Sequence, residues 1–353
     1  MSIINKILIG SSLLKSKITH KRIPLIVNWA ITGRCNLRCS HCYGSYGVVQ
    51  KDELSLDVVK KTVDELKKIG TRRITIEGGE PLLREDIKEI VNYIYEKDIE
   101  ISLCTNGILV GKYIDFIKGK VDLTVLSVEG REEFHDLIRG KGNFKKVINA
   151  LEICKKNNVR TLIFSSLIDK NIRDIDFLID TAKRYNVYIA FNLAVAKIKE
   201  NGGREKLDKI SDEEYRAAFL KILEHKKNGA PVFYSEDNFR QIINWPSFAK
   251  EILYEEDLKS FNKKDNFFLA PCYAGINYCY IECTGDVYPC YQMVGILDVR
   301  NIREDGFKKA FNHLSETHFC KHCYNVTLSE LNLQCGFNLK AVFKVIKNYI
   351  TEN

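Results

Sequence analysis

No stretch of this chain approaches the roughly 20 consecutive apolar residues that a membrane-spanning helix requires. The opening segment, MSIINKILIGSSLLKSKITHKR, is apolar and basic, but its apolar run is broken at Lys6 and again at residues 10–12. No small-residue cleavage site follows, so it does not read as a signal peptide. No block of basic residues is interleaved with aromatics, which argues against nucleic acid as a partner. There is no low-complexity tract, and no internal repeat beyond a strand–helix rhythm. These absences predict a cytoplasmic protein whose thiols are reduced or bound to metal.

What is present is an ordinary globular composition. The chain has 353 residues, 45% hydrophobic and 28% charged, enough for one large domain and a smaller one. Its net charge of +8 is modest, and lysines and acids alternate along the helical stretches as on a solvated surface. The one excess is cysteine, with twelve.

Over residues 23–196, β-rich runs alternate with amphipathic helical ones. The predicted strands are 25–31, 73–77, 100–104, 122–127, 160–167 and 187–193. Between them lie helical patterns such as SLDVVKKTVDELKKIG, with Ser55 as N-cap and Gly70 as stop. This alternation predicts an α/β fold, a parallel sheet covered by helices. Six units are too few for a closed eight-stranded barrel, so the expectation is a partial (β/α)6 barrel. Residues 1–22 form an N-terminal amphipathic segment. The polar KIKENGGREK opens a helical connector over 197–265, and residues 266–353 form a small C-terminal cysteine-rich domain closed by a helix in GFNLKAVFKVIKNYI.

In GRCNLRCSHCYGS, Cys35, Cys39 and Cys42 are spaced by three and then two residues. Structural zinc usually takes four ligands, often as two pairs, and the next cysteine is Cys104. Three thiolates on one loop suit a [4Fe–4S] cluster with one iron left open to a small molecule. His41 as a fourth ligand is the competing reading. This loop, residues 78–81, 105–107 and 127–129 all follow predicted strand ends, so they face one crevice.

The Cys-x3-Cys-x2-Cys motif after the first strand, GGEPLL at 78–83, CTNG at 104–107 and SVEG at 127–130 together resemble the radical S-adenosylmethionine (SAM) superfamily. The resemblance covers residues 25 to about 195. It implies that Cys35, Cys39 and Cys42 hold a [4Fe–4S] cluster whose open iron chelates SAM. An electron from the cluster then splits the sulfonium C–S bond, giving methionine and a 5′-deoxyadenosyl radical that abstracts hydrogen from a substrate or adds to it. A small electron donor of flavodoxin or ferredoxin type would supply the electron.

The resemblance also implies a SAM-contacting set: His41, Tyr43, Gly78, Gly79, Glu80, Pro81, Asn106, Ser127, Glu129 and Arg139. Gly78 and Gly79 would let backbone approach the methionine part, and Glu80 would orient its ammonium. Ser127 and Glu129 suit ribose hydroxyls, and Arg139 would pair with the SAM carboxylate. Asn106 either contacts SAM or makes a turn with Gly107. Cys104 and Cys154 read as small hydrophobes. A non-catalytic iron–sulfur carrier or redox sensor would need the cysteines but none of these motifs.

The second cysteine group holds Cys272, Cys279, Cys283, Cys290, Cys320, Cys323 and Cys335. TGDVYPC reads as a hairpin turn delivering Cys290. The pattern resembles SPASM and twitch domains, which carry auxiliary [4Fe–4S] clusters, although the full SPASM tail has more closely spaced cysteines. That resemblance implies one auxiliary cluster on Cys272, Cys290, Cys320 and Cys323, with Cys279, Cys283 and Cys335 as alternative ligands or as ligands of a further cluster. A structural zinc site is the competing reading.

For the substrate, three placements compete. Many SPASM-type relatives modify peptides through an N-terminal leader-binding domain, for which the roughly 25 residues before the first strand are too few. Haem-precursor enzymes share the layout. The tail resembles adenosylhopane synthase, a lipid enzyme. Ile3, Ile4, Ile7, Leu8, Leu14 and Ile18 beside Lys6, Lys15 and Lys17 would then make a peripheral membrane contact; an ordinary helix packed on the barrel is the other reading.

Overall fold

The computed structural model describes residues 3–44, 46–47, 52–198, 204–205, 210–259, 269–317 and 320–336. After an N-terminal helix, α1 (Ile3–Thr19), come six parallel strands hydrogen-bonded in chain order: β1 (Ile26–Thr32), β2 (Arg73–Gly78), β3 (Glu100–Thr105), β4 (Leu123–Ser127), β5 (Thr161–Leu167) and β6 (Tyr188–Leu193). Between them run α2 (Leu56–Ile69), α3 (Ile87–Glu96), α4 (Val110–Lys120), α5 (Glu132–Arg139), α6 (Asn143–Lys156) and α7 (Ile175–Tyr185). This is the expected partial barrel, and each expected strand is present with its ends within about one residue.

Local chemistry sets these boundaries. The Ser55 side chain accepts from Val58 N, satisfying a donor that the first turn of α2 leaves unpaired. Val59, Val63 and Leu66 recur at helical spacing and are fully buried against the sheet. Gly70 ends α2 at φ +113°, where its N–H reaches the Leu66 and Lys67 carbonyls.

Strand alternation sorts the barrel into two faces. Val27, Trp29 and Ile31 of β1, Ile74 and Ile76 of β2, and Ile101 and Leu103 of β3 pack into the main core under the helices. Their neighbours Asn28, Thr75, Glu77, Ser102 and Cys104 line an interior cavity. Cys104 therefore faces the cavity rather than the helical layer, whereas Cys154 is a core residue of α6 as expected.

Past β6, a short antiparallel ribbon of β7 (Lys197–Ile198) and β8 (Arg204–Glu205) stands where a plain linker was expected. The connector is helical, with α8 (Asp212–Lys227), α9 (Glu236–Ile243) and α10 (Glu255–Lys259). Ser211 and Glu214 form a complete capping box at the start of α8. Between α9 and α10 lies β9 (Ile252–Leu253).

The expected hairpin is β10 (Tyr278–Ile281) with β11 (Val287–Tyr288). Beyond expectation, β10 lies parallel to β1, with Ile26 opposite Tyr278, so the sheet has eight strands and the 266–353 segment shares it. Then follow α11 (Ile302–Thr317), β12 (His322–Cys323), which pairs with β9, and α12 (Val326–Cys335). The helix expected beyond Gly336 lies outside the described residues.

Helix α1 docks on the tail. Leu13 is buried in a core shared with Tyr278 and Tyr288. Ser16 Oγ accepts from Asn277 Nδ2 at 2.9 Å, and Lys17 Nζ donates to Gly336 O at 3.0 Å. Leu14 and Ile18 are exposed; the side chains of Ile3, Ile4, Lys6, Ile7 and Leu8 lie outside the described residues. Among the described residues, no helix is long and apolar enough to cross a membrane.

Candidate active site

The barrel encloses a cavity of about 910 Å³. Cys35, Cys39 and Cys42 line it together with His41, Tyr43, Gly78, Gly79, Asn106, Ser127 and Arg139. Elements α1, through Leu13, and α12, through Thr327 and Leu331, also line it. The cysteine loop is tied at several points. Thr32 Oγ1 and Gly33 N donate to Glu53 Oε1 at 2.6 and 2.9 Å, Gly47 N donates to Gly33 O at 2.7 Å, and Ser40 N donates to Ile138 O at 2.9 Å. Burial pushes the Cys35 thiol up to about 11. Burial also raises Cys39, against the pull of the Arg139 guanidinium, whose Nη1 lies 3.9 Å from its Sγ.

The glycine motif is built against this loop. Gly79 N donates to Thr32 O at 2.9 Å and Glu80 N to Arg34 O at 2.8 Å. A Cβ on Gly78, at φ +121°, would lie 2.5 Å from Thr32 O, and one on Gly79 would lie 2.1 Å from Arg34 O. Approach of the cysteine loop alone therefore demands glycine at both positions. Pro81 opens a 3-10 turn over Pro81–Leu83. Glu80 is fully buried and acts as a brace: Oε1 accepts from Leu82 N at 3.1 Å and Thr105 Oγ1 at 2.8 Å, and Oε2 from Asn106 N at 2.8 Å. Asn106 makes the turn, its Oδ1 accepting from Ile108 N at 3.0 Å, while its Nδ2 donates to Asn36 Oδ1 in the cysteine loop at 2.8 Å.

At the end of β4, Glu129 gathers charge. Arg139 Nε and Nη2 donate to its Oε1 at 3.0 and 2.6 Å, and His41 Nε2 stands 3.4 Å away. Ser166 N donates to Oε2 at 2.9 Å. Burial alone would raise this carboxyl, but Arg139 and His41 outweigh it and hold Glu129 well below the usual carboxylate range. Next to it, burial and Arg139 lower His135 to about 4, so its neutral Nδ1 accepts from Glu129 N at 3.2 Å. His41 Nε2 is turned to Glu129 and, among the described residues, its buried Nδ1 takes no hydrogen bond; the loop's sulfur donors are three thiols. That set fits an iron–sulfur cluster better than a four-ligand structural zinc.

The tail cysteines separate into two sets. The Cys320 thiol is hydrogen-bonded to Cys272 and raised by that contact, by burial, and by Cys290 and Cys323. Cys323 is raised by burial, with Cys272 and Cys290 close by. Cys272 Sγ lies 3.9 Å from Tyr278 Oη. The four residues Cys272, Cys290, Cys320 and Cys323 are thus brought together. Cys335 on α12 is near Cys272 and is pushed up to about 12 by burial. Cys279 instead points into the main core, and Cys283 donates to Glu282 Oε1 at 3.3 Å, so both stand apart from the four. Strand alternation explains the split. Cys279 sits on β10 with its side chain on the helix-facing side of the sheet, a position that spacing between cysteines does not reveal. Among the described residues, no three His, Cys, Asp or Glu side chains are drawn tightly enough together to hold an ion unaided.

Sequence reasoning named Tyr43 but missed the buried aromatic cluster it belongs to, between the two cysteine groups. Tyr46 Oη and Tyr280 Oη are 2.6 Å apart, and both donate to Glu282 Oε2, at 3.2 and 3.1 Å. Tyr43, which follows Cys42, and Tyr291, which follows Cys290, have ring centroids 5.6 Å apart. Glu77 was also missed, although the alternation of Arg73, Thr75 and Glu77 on β2 was there to place it inside the barrel.

The radical SAM superfamily model matches residues 29–182. An AdoMet-dependent heme synthase from Methanosarcina barkeri (strain Fusaro) is 27% identical over 300 residues, covering 82% of this chain and 82% of that protein. Mycofactocin maturase MftC of Mycolicibacterium smegmatis is 25% identical over 304 residues, covering 82% of this chain and 70% of that protein. The solved structure of native anSMEcpe with bound AdoMet and Kp18Cys peptide superposes with a TM-score of 0.64 at 19% identity, over 92% of this chain and 99% of that one. Residues 29–182, with their three-thiol loop set against a glycine pair at the mouth of a six-stranded barrel, thus form a radical SAM domain.

Proposed function

We propose that this chain binds a [4Fe–4S] cluster through Cys35, Cys39 and Cys42, binds SAM beside it, and modifies a substrate held in the barrel cavity. The observation that carries this reading is the placement of all three thiols on the wall of one 910 Å³ cavity. When bound, the cluster and SAM supply a 5′-deoxyadenosyl radical that removes hydrogen from the substrate or adds to it.

The protein's own part is positional. Gly78 and Gly79 keep side chains out of the space beside the cysteine loop, Glu80 locks the β2 and β3 loops together, and Ser127 offers a hydroxyl on the cavity wall. Arg139 stands between Cys39 and Glu129 and places a cation beside the thiolates. Cys272, Cys290, Cys320 and Cys323 form the site of an auxiliary cluster, which would carry electrons or hold substrate. A flavodoxin- or ferredoxin-type donor would supply the reducing electron. The relatives' names divide between heme synthesis and mycofactocin maturation, and a similar solved structure holds a peptide; tetrapyrrole, peptide and lipid all stay open as substrates of this chain.

Anaerobic reconstitution followed by reduction with SAM tests the reading. Release of 5′-deoxyadenosine and methionine, lost in Cys42→Ala, is the expected result. Iron binding without any SAM cleavage would instead favour an electron carrier or redox sensor.

A further inference from the structure

One cavity group is unused by this reading. Glu77 lies on the inner face of β2, immediately before the glycine pair, and among the described residues its buried Oε1 takes no hydrogen bond. Among the described residues, the other carboxylates near it are engaged. Glu80 braces the β2 and β3 loops, Glu129 is paired with Arg139, and Glu282 accepts from Tyr46, Tyr280 and Cys283. The two arginines that line the cavity are also committed, Arg73 to Glu100 and Arg139 to Glu129.

The groups facing Glu77 are Tyr43 from the cysteine loop, Cys104 from β3, Tyr280 and Glu282 from the β10 hairpin, and Tyr291 beyond β11. None of them is a cation. Burial, reinforced by Glu282, pushes Glu77 up to about 8. A carboxyl so desolvated, facing a second carboxylate and lacking a donor, is completed by a positively charged donor brought in from outside.

We infer that Glu77 is the anchor for a cationic nitrogen, a protonated amine or a guanidinium, on the molecule that occupies the cavity. This rests on the proposed reading only in taking the cavity as the substrate chamber.

The test uses the full chain, cluster-loaded and saturated with SAM, titrated calorimetrically with n-hexylammonium and with 1-hexanol as its neutral counterpart. At about pH 9 the wild type is expected to prefer the ammonium by roughly tenfold or more, the usual weight of a hydrogen bond to a charged group. That preference disappears in Glu77→Gln and persists in the surface control Glu133→Gln. Equal affinity for the two probes in wild type, or an unchanged preference in Glu77→Gln, would overturn the assignment. So would displacement of SAM by the ammonium, which would make Glu77 a SAM contact. Should Glu77→Gln fail to fold, the wild type alone decides. Its preference must grow between about pH 6.5 and pH 9, as Glu77 ionises; a flat profile sinks the proposal. SAM cleavage measured on the same wild-type preparation separates the two readings. Ammonium binding without cleavage retains the anchor and removes the enzyme reading, and cleavage without ammonium preference does the reverse.

Discussion

Arg139 Nη2 stands 2.6 Å from Glu129 Oε1, and both side chains are almost wholly shielded from solvent. Removing one partner of such a pair strands the other charge away from water, which typically costs about 3–5 kcal/mol. Arg139→Ala is therefore expected to lose stability on that scale in urea denaturation. Glu129→Gln, which leaves the cation near Cys39, still deprives Arg139 of its countercharge and is expected to lose stability as well.

The same pair predicts an acid limit. Glu129 is held below its unfolded value of about 4.3. Its contribution is complete above that value and is lost as pH falls through the lower, folded one. Wild type should therefore lose stability more steeply below about pH 4 than Glu129→Gln does. Matching slopes in the two proteins would contradict the pairing.

Gly79→Ala should damage the site without removing a thiol. Its new methyl would lie 2.1 Å from Arg34 O, a backbone atom that cannot swing aside. Overpacking of this kind costs about 1–3 kcal/mol. The expected result is a lower melting temperature together with reduced iron retention after reconstitution, because the atom displaced belongs to the cysteine loop.

Glu80→Ala removes the acceptor for Leu82 N, Thr105 Oγ1 and Asn106 N at once. Each buried donor left unpaired costs about 1–3 kcal/mol. Amide exchange at Leu82 and Asn106 should accelerate, and Glu80→Gln, which keeps one carbonyl acceptor, should lie between the two.

Iron content counts the clusters. In a Cys35→Ala/Cys39→Ala/Cys42→Ala variant reconstituted anaerobically, about four irons would indicate one auxiliary cluster and about seven or eight would indicate two. The separation of Cys279 and Cys283 from Cys272, Cys290, Cys320 and Cys323 leads us to expect four. Zinc without iron would leave the tail as a structural knuckle.

Much of this architecture is written in local patterns. Alternation within strands, the Ser55 cap and the Gly70 stop need only near neighbours, so the six barrel strands and their helices could be read from the chain. The pairing of β10 with β1 could not, because it joins segments from opposite ends of the sequence and leaves no periodic trace in either. The three-cysteine loop and the glycine pair were legible because their residue types are rare in combination. The work Glu80 does was not: a carboxylate that serves three donors looks, in sequence, like one that serves a ligand. Glu77 was hidden by its neighbours, since GGEP attracts the reading and the residue before it passes as strand.

That long-range pairing has a consequence for synthesis. Strand β1 is made early, with Val27, Trp29 and Ile31 on one face, and β2 soon covers one of its edges. Its other edge stays open until β10, which pairs Tyr278 opposite Ile26, has been made. Through that interval the nascent barrel carries a strand with unpaired amides and apolar side chains, the kind of edge that captures other chains. Completion of the fold is thus a late, non-local event. A ribosome that stalls between β6 and β10 would release a barrel with an adhesive rim, so yield in the cell should depend on how quickly β10 follows.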